Sequence, residues 1–101
     1  MSTLTGAVRH RPRATVSVVI PVRDDRHHVE RCLDALSAQT HPPFEFIVVD
    51  NASSDDSAAV AARYGAVVLH ESEVGIPAAS ATGYDAARGE FIARVDADSV
   101  P

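Results

Sequence analysis

Four short runs of branched and other apolar residues, at 16–20, 44–49, 66–69 and 91–95, alternate with three segments that carry helical periodicity. This alternation constrains the fold more than any other feature. Parallel strands cannot be joined by a tight turn, so each crossover uses a helix, and the helices then cover the sheet. The pattern predicts an α/β domain with a mostly parallel sheet and helices on both faces. Val16-Ser17-Val18-Val19-Ile20 is a β-branched strand closed by Pro21. Asp24 or Asp25 then caps a helix reaching to about Gln39, in which Val29, Cys32, Leu33 and Leu36 share one stripe. Ser53 or Ser54 is the expected cap of a second helix, with Asp55 and Asp56 in its first turn and Gly65 at its C-cap. An alanine-rich third helix is expected from Pro77 to Arg88, stopped by Gly89. The pattern leaves the strand order open.

Residues 1–14 fit neither period and lack the apolar stretch of a secretory signal. They hold three arginines and no acid, and read as a disordered basic tail, leaving 15–101 as the folded region. All nine cations of the chain are arginine, against fourteen acids, for a net charge of −5. With three arginines in the tail, the remainder is strongly acidic. That argues against a nucleic-acid surface, which needs a basic stripe. An acidic domain that handles a phosphorylated ligand needs a metal ion between the like charges. The single cysteine, Cys32, lies on the apolar stripe and excludes both a disulfide framework and a multi-thiolate metal site.

Ligands of open α/β sheets bind outside the carboxyl ends of the strands. The notable polar residues fall there: Arg23, Asp24 and Asp25 after the first strand, Asp50 and Asn51 after the second, Glu71 and Glu73 after the third, Asp96 and Asp98 after the fourth. Helix capping accounts for Asp24, Asp25 and Asp55 as readily as a site does. It does not account for Asp50 or Asp98. In extended backbone Asp96 and Asp98 point to the same side, and two converging carboxylates suit a hard divalent cation, Mg²⁺ or Mn²⁺. Other chemistries fail. The chain has no lysine, which excludes a P-loop, and no glycine in the turn after the first strand, which excludes a dinucleotide fingerprint. His27 and His28 are adjacent and cannot face one ligand from a helix. A receiver module of the response-regulator type would place its phosphoacceptor on the third strand and needs a lysine; Asp50 comes too early.

Three stretches, 16–22 (VSVVIPV), 46–55 (FIVVDNASSD) and 89–98 (GEFIARVDAD), resemble family 2 glycosyltransferases in order and spacing. The resemblance implies a Rossmann-like GT-A fold and a metal-assisted, inverting transfer of a sugar from a nucleoside diphosphate, UDP foremost, to an acceptor hydroxyl. It implies donor contacts at Pro21, Val22, Asp25, Asp50, Gly75 and Asp96. Pro21 and Val22 would line base and ribose with backbone groups, and Asp50 would hydrogen-bond the base. Asp96 would meet ribose or metal, and Asp98 would ligate Mn²⁺ or Mg²⁺ on the diphosphate. Gly75 and Gly83 match the two glycines of the loop and helix under the donor. Ser80-Ala81 stands where the family often carries Arg-Asn, which leaves Arg23 or Arg94 as the available substitute.

The family's catalytic base and acceptor site follow the Asp-x-Asp region, so the base is expected beyond Pro101. The 101 residues thus resemble the nucleotide-sugar-binding half of a catalytic domain, incomplete as a fold and expected to transfer no sugar by themselves. The alternative reading is a non-catalytic nucleotide-sugar-binding fragment. A role in cell-envelope or polysaccharide synthesis, in the cytoplasm or at the cytoplasmic membrane face, follows from the resemblance, with any membrane association carried by residues downstream. The acceptor is not legible.

Overall fold

The structure, a computed structural model, describes residues 15–39 and 43–95. Residues 1–14, read above as a basic tail, and Asp96 and Asp98 lie outside the described residues. Seven elements follow in strict alternation: β1 (Val16–Val22), α1 (Arg26–Ser37), β2 (Glu45–Asp50), α2 (Ser57–Arg63), β3 (Val67–His70), α3 (Ile76–Ala86) and β4 (Phe91–Arg94). All described pairings are parallel, and the order across the sheet is β3-β2-β1-β4. Each strand runs the same way, so the loops after β1, β2 and β3 meet at one end.

Alternation of side chains along β1 divides the core in two. Val18, Ile20 and Val22 pack with Val48 under α1 and α2, against Val29, Cys32, Leu33, Leu36, Val60 and Ala61. Val19, with Ile47 and Val49, faces α3, where the contact is Ala79. Helices on both faces are therefore borne out, and so is Cys32 as a core residue, fully buried. The α3 face is built from small residues. A Cβ added to Gly83 would stand 2.3 Å from Val19 Cγ1 and 3.1 Å from Val49 Cγ2, so the helix backbone lies against the sheet.

Pro21 falls inside β1, in register with Val49, instead of closing the strand. It is tolerated there for a geometric reason. In a parallel strand, alternate residues bond to opposite neighbours. Val22 O accepts from Asn51 N–H on the β2 side, and Val19 O accepts from Val95 N–H on the β4 side. Pro21 shares the parity of Val19, so its missing N–H falls beyond the last described rung to β4 and breaks no bond to β2.

At the opposite end of the sheet, one buried carboxylate joins three elements. Glu45, with a side chain only 7% exposed, accepts from Ser17 Oγ (2.6 Å) and from the Arg88 N–H (2.7 Å). Ser17 Oγ in turn accepts from the Gly89 N–H at 2.8 Å. The Arg88 guanidinium lies 3.4 Å from Glu45 Oε1 and 5.6 Å from the centre of the Phe44 ring. This joint turns the chain from α3 into β4. Burial pushes the Glu45 carboxyl up, but the Ser17 hydroxyl, the Arg88 N–H and the Arg88 charge outweigh it and hold it below the ordinary glutamate value.

Candidate nucleotide-sugar site

The site is built from strand ends. Register sets Val22 beside Asp50 and Asp50 beside His70, so β1, β2 and β3 present Pro21, Val22, Asp50 and His70 side by side. Asp50 is 8% exposed. Its Oδ2 lies 3.4 Å from His70 Nδ1, and its Oδ1 is buried without a hydrogen-bond partner among the described residues. A buried carboxylate oxygen left unpaired is costly, and a ligand that brings a donor to it removes the cost.

Two loops flanking this row hold each other. Asp24, in the left-handed region at φ 51, donates its N–H to Ser53 Oγ. Its Oδ1 accepts from Ser54 N–H (2.6 Å), Ser54 Oγ (3.0 Å) and Asp55 N–H (3.2 Å). In return Asp55 Oδ2 accepts from Arg26 N–H and Ser57 Oγ accepts from Asp25 N–H. The Ser54 N–H and hydroxyl draw the Asp24 carboxyl below its ordinary value, and the Ser57 hydroxyl does the same for Asp55. This corrects the expected caps. Asp25 is the N-cap of α1 but makes no side-chain cap bond, and it lies against His28. The second helix starts at Ser57, with Asp56 as its N-cap, because Ser53 and Ser54 are bonded across to the β1 loop. Asp24 and Asp55 are thus committed to structure, and of the described acids on this rim Asp50 is the one with an uncommitted buried oxygen.

The third loop is tied to β2 by Asn51, 5% exposed. Asn51 Nδ2 donates to Glu71 O (3.0 Å) and Glu73 O (2.8 Å), and its Oδ1 accepts from Gly75 N–H (2.9 Å). Gly75 has φ 136, a conformation side chains rarely adopt, and is the N-cap of α3. The Glu71 carboxylate accepts from Thr82 Oγ1 and from Glu73 N–H, and the Thr82 hydroxyl is the main cause of its lowered pKa. The sequence places Asn51 on the rim without assigning it a part, and its third apolar run, 66–69, stops one residue short of His70, which the structure includes in β3. Nothing local in the sequence signals the partners of either.

The structure therefore brings Pro21, Val22, Asp50 and Gly75 to one end of the sheet, with Asp25 on the neighbouring loop. β4 leads toward that same end through the Val95–Val19 rung. Asp96 and Asp98 follow it in sequence and lie outside the described residues. Among the described residues no three metal-ligating side chains cluster. The acidic surroundings favour a cation wherever a diphosphate is bound.

A family model for glycosyl transferase family 2 matches residues 17–101. The chain belongs to glycosyl transferase family 2. Among its relatives, glycosyltransferase AglE of Haloferax volcanii is 32% identical over 94 residues, which make up 85% of this chain and 31% of that protein. The uncharacterized glycosyltransferase EpsJ of Bacillus subtilis is 34% identical over 88 residues, 82% of this chain and 26% of that protein. The chain thus spans between a quarter and a third of these relatives. Solved GT-A structures share its fold. The mannosyltransferase PcManGT from Pyrobaculum calidifontis, in complex with GDP-Man and Mn²⁺, matches with a TM-score of 0.79 at 29% identity, over 88% of this chain and 29% of that one. The glucosyl-3-phosphoglycerate synthase of Mycobacterium tuberculosis, in complex with Mn²⁺, UDP and phosphoglyceric acid, matches with a TM-score of 0.73 at 25% identity, over 87% and 38%. This family 2 chain is accordingly a partial GT-A domain.

Proposed function

We propose that the chain forms the donor-binding part of an inverting glycosyltransferase that moves a sugar from a nucleoside diphosphate, UDP foremost, to an acceptor hydroxyl. The observation that carries this is the buried, unpaired Asp50 Oδ1 beside the ends of β1 and β3. A pyrimidine or purine N–H can donate to it, while backbone groups of Pro21 and Val22 line base and ribose and Gly75 lets the chain pass close to the donor. Asp96 would meet ribose or metal, and Asp98 would ligate a divalent cation. When bound, that cation supplies positive charge at the departing diphosphate. Complexes with Mn²⁺ and with GDP-Man or UDP among the neighbours support both donor class and cation. The base that deprotonates the acceptor lies, in this reading, downstream of Pro101. We place the activity in the cytoplasm or at its membrane face; no described helix is long and apolar enough to cross a membrane.

Two results test this. Calorimetric titration with UDP- and GDP-sugars should show tighter binding with Mn²⁺ or Mg²⁺ than with chelator, and equal affinity in all conditions would remove the cation from the site. Asp50→Ala should weaken nucleotide binding by about 1–3 kcal/mol, the cost of a charge-assisted hydrogen bond. Its melting temperature should hold or rise, because the substitution removes a buried oxygen with no protein partner. A large fall in melting temperature with unchanged affinity would assign Asp50 to the fold instead.

A further inference from the structure

We infer that Asn51 is a positioning residue for the nucleoside diphosphate: it holds the 71–75 segment against the end of β2 without itself contacting the ligand. The inference rests on the donor-binding reading of this rim. Its basis is the bonding of one side chain. Each polar atom of the Asn51 amide is committed to backbone of that segment, at 2.8–3.0 Å, with both N–H groups on carbonyls and the oxygen on the Gly75 N–H. The residue is 5% exposed, so these bonds are shielded from water. Its own N–H is spent on Val22 O, which fixes it to β1 as well. The amide is therefore a staple between the β1–β2 ladder and the start of α3.

Its neighbour makes the staple matter. Asp50 O accepts from Glu71 N–H at 3.0 Å, so the segment leaves the sheet directly beside the unpaired Asp50 Oδ1. Gly75, at φ 136, has a backbone conformation that few side chains could share, and its N–H is directed to Asn51 Oδ1. At the far end Glu71 is held by Thr82 of α3. With Asn51 removed, the Glu71 anchors remain while residues 73–75 lose their link to β2. The wall beside Asp50 then becomes an ensemble that the ligand must order on binding, at a cost in affinity.

An acidic replacement separates this from a general structural role. Asn51→Asp keeps an acceptor for the Gly75 N–H but sets a charged oxygen against the carbonyls of Glu71 and Glu73. Taking up a proton gives that oxygen a donor again. The titratable groups around it are Asp50, His70, Glu71 and Glu73, all present in the unsubstituted chain, which serves as the control.

The test measures amide exchange and binding of UDP and of GDP with Mn²⁺ for the unsubstituted chain, Asn51→Ala, Asn51→Asp and Gly75→Ala. Expected are faster exchange at 73–75 with unchanged rates at Val19 and Val48, and at least about tenfold weaker nucleotide binding in all three variants, the scale of one lost hydrogen bond. Asn51→Asp should regain affinity relative to the unsubstituted chain between pH 7.5 and pH 5. Gly75→Ala perturbs the segment without touching β2, so it keeps the claim testable if the Asn51 variants unfold. Loosened 73–75 exchange with nucleotide affinity equal to the unsubstituted chain would overturn the inference, as would unchanged exchange at 73–75 in Asn51→Ala. An unsubstituted chain that binds neither UDP nor GDP would instead overturn the donor-binding reading on which it rests.

Discussion

Gly83→Ala is expected to destabilise the chain by about 2 kcal/mol, within the range for overpacking a filled core. Two effects oppose each other. Alanine in place of a helical glycine ordinarily gains about 1 kcal/mol through helix propensity. Here the added methyl would meet Val19 Cγ1 at 2.3 Å, Val19 Cγ2 at 3.3 Å and Val49 Cγ2 at 3.1 Å. Both valines are fully buried and β-branched, with a restricted choice of rotamer, so neither turns aside freely. Relief requires α3 to lift from the sheet, which also carries Thr82 away from Glu71. Urea unfolding measures the loss, and a variant as stable as the unsubstituted chain would mean that α3 is not seated as described. Nucleotide affinity should fall together with stability, because the 71–75 segment is anchored partly on this helix.

Glu45→Ala is expected to cost about 1–3 kcal/mol, because it leaves the buried Ser17 hydroxyl without its acceptor, while the exposed Arg88 N–H can turn to water. The pH dependence has a definite sign. The Glu45 carboxyl is held below 4.5, so the folded form binds its proton less readily than the unfolded form. Its contribution is fully present above pH 4.5 and is lost as pH falls through the folded value. Asp24 and Asp55, lowered from 3.8, and Glu71, lowered from 4.5, act in the same direction. Stability measured by denaturant midpoints should therefore decline below about pH 4.5, and Glu45→Gln should make that decline shallower. An unaltered slope in the glutamine variant would show that Glu45 is not ionised at the joint.

The alternation of strands and helices was legible because burial on two faces imposes it on each strand locally. Val16–Val22 and Glu45–Asp50 show nearly continuous apolar runs, and Gly65, at φ 79, ends α2 as its type suggests. The start of α2 was not legible. Ser53 and Ser54 have the chemistry of caps, but their partner is Asp24, about 30 residues earlier, and a contact of that range leaves no local pattern. Pro21 looked like a terminator because a missing N–H usually ends a ladder; it continues β1 because of which neighbour that N–H would have faced. Asp50 was legible as an acid at a strand end with no cap to make. The part played by Asn51 was not, since its partners are backbone atoms 20–24 residues away, which carry no sequence signature.

The order β3-β2-β1-β4 also bears on how a chain made from its amino end assembles. Residues 15–70 can pair β1, β2 and β3 through two short-range crossovers, while β4 must reach back to β1 across 75 residues, from Arg94 to Val19. During synthesis β1, the strand destined for the interior, is for a time an outer edge, the kind of edge that recruits foreign strands. Pro21 removes one donor from that side of β1, and Ser17 offers it a hydroxyl that later receives the Gly89 N–H. The proline thus shortens the sticky face of a growing sheet during the interval before β4 arrives.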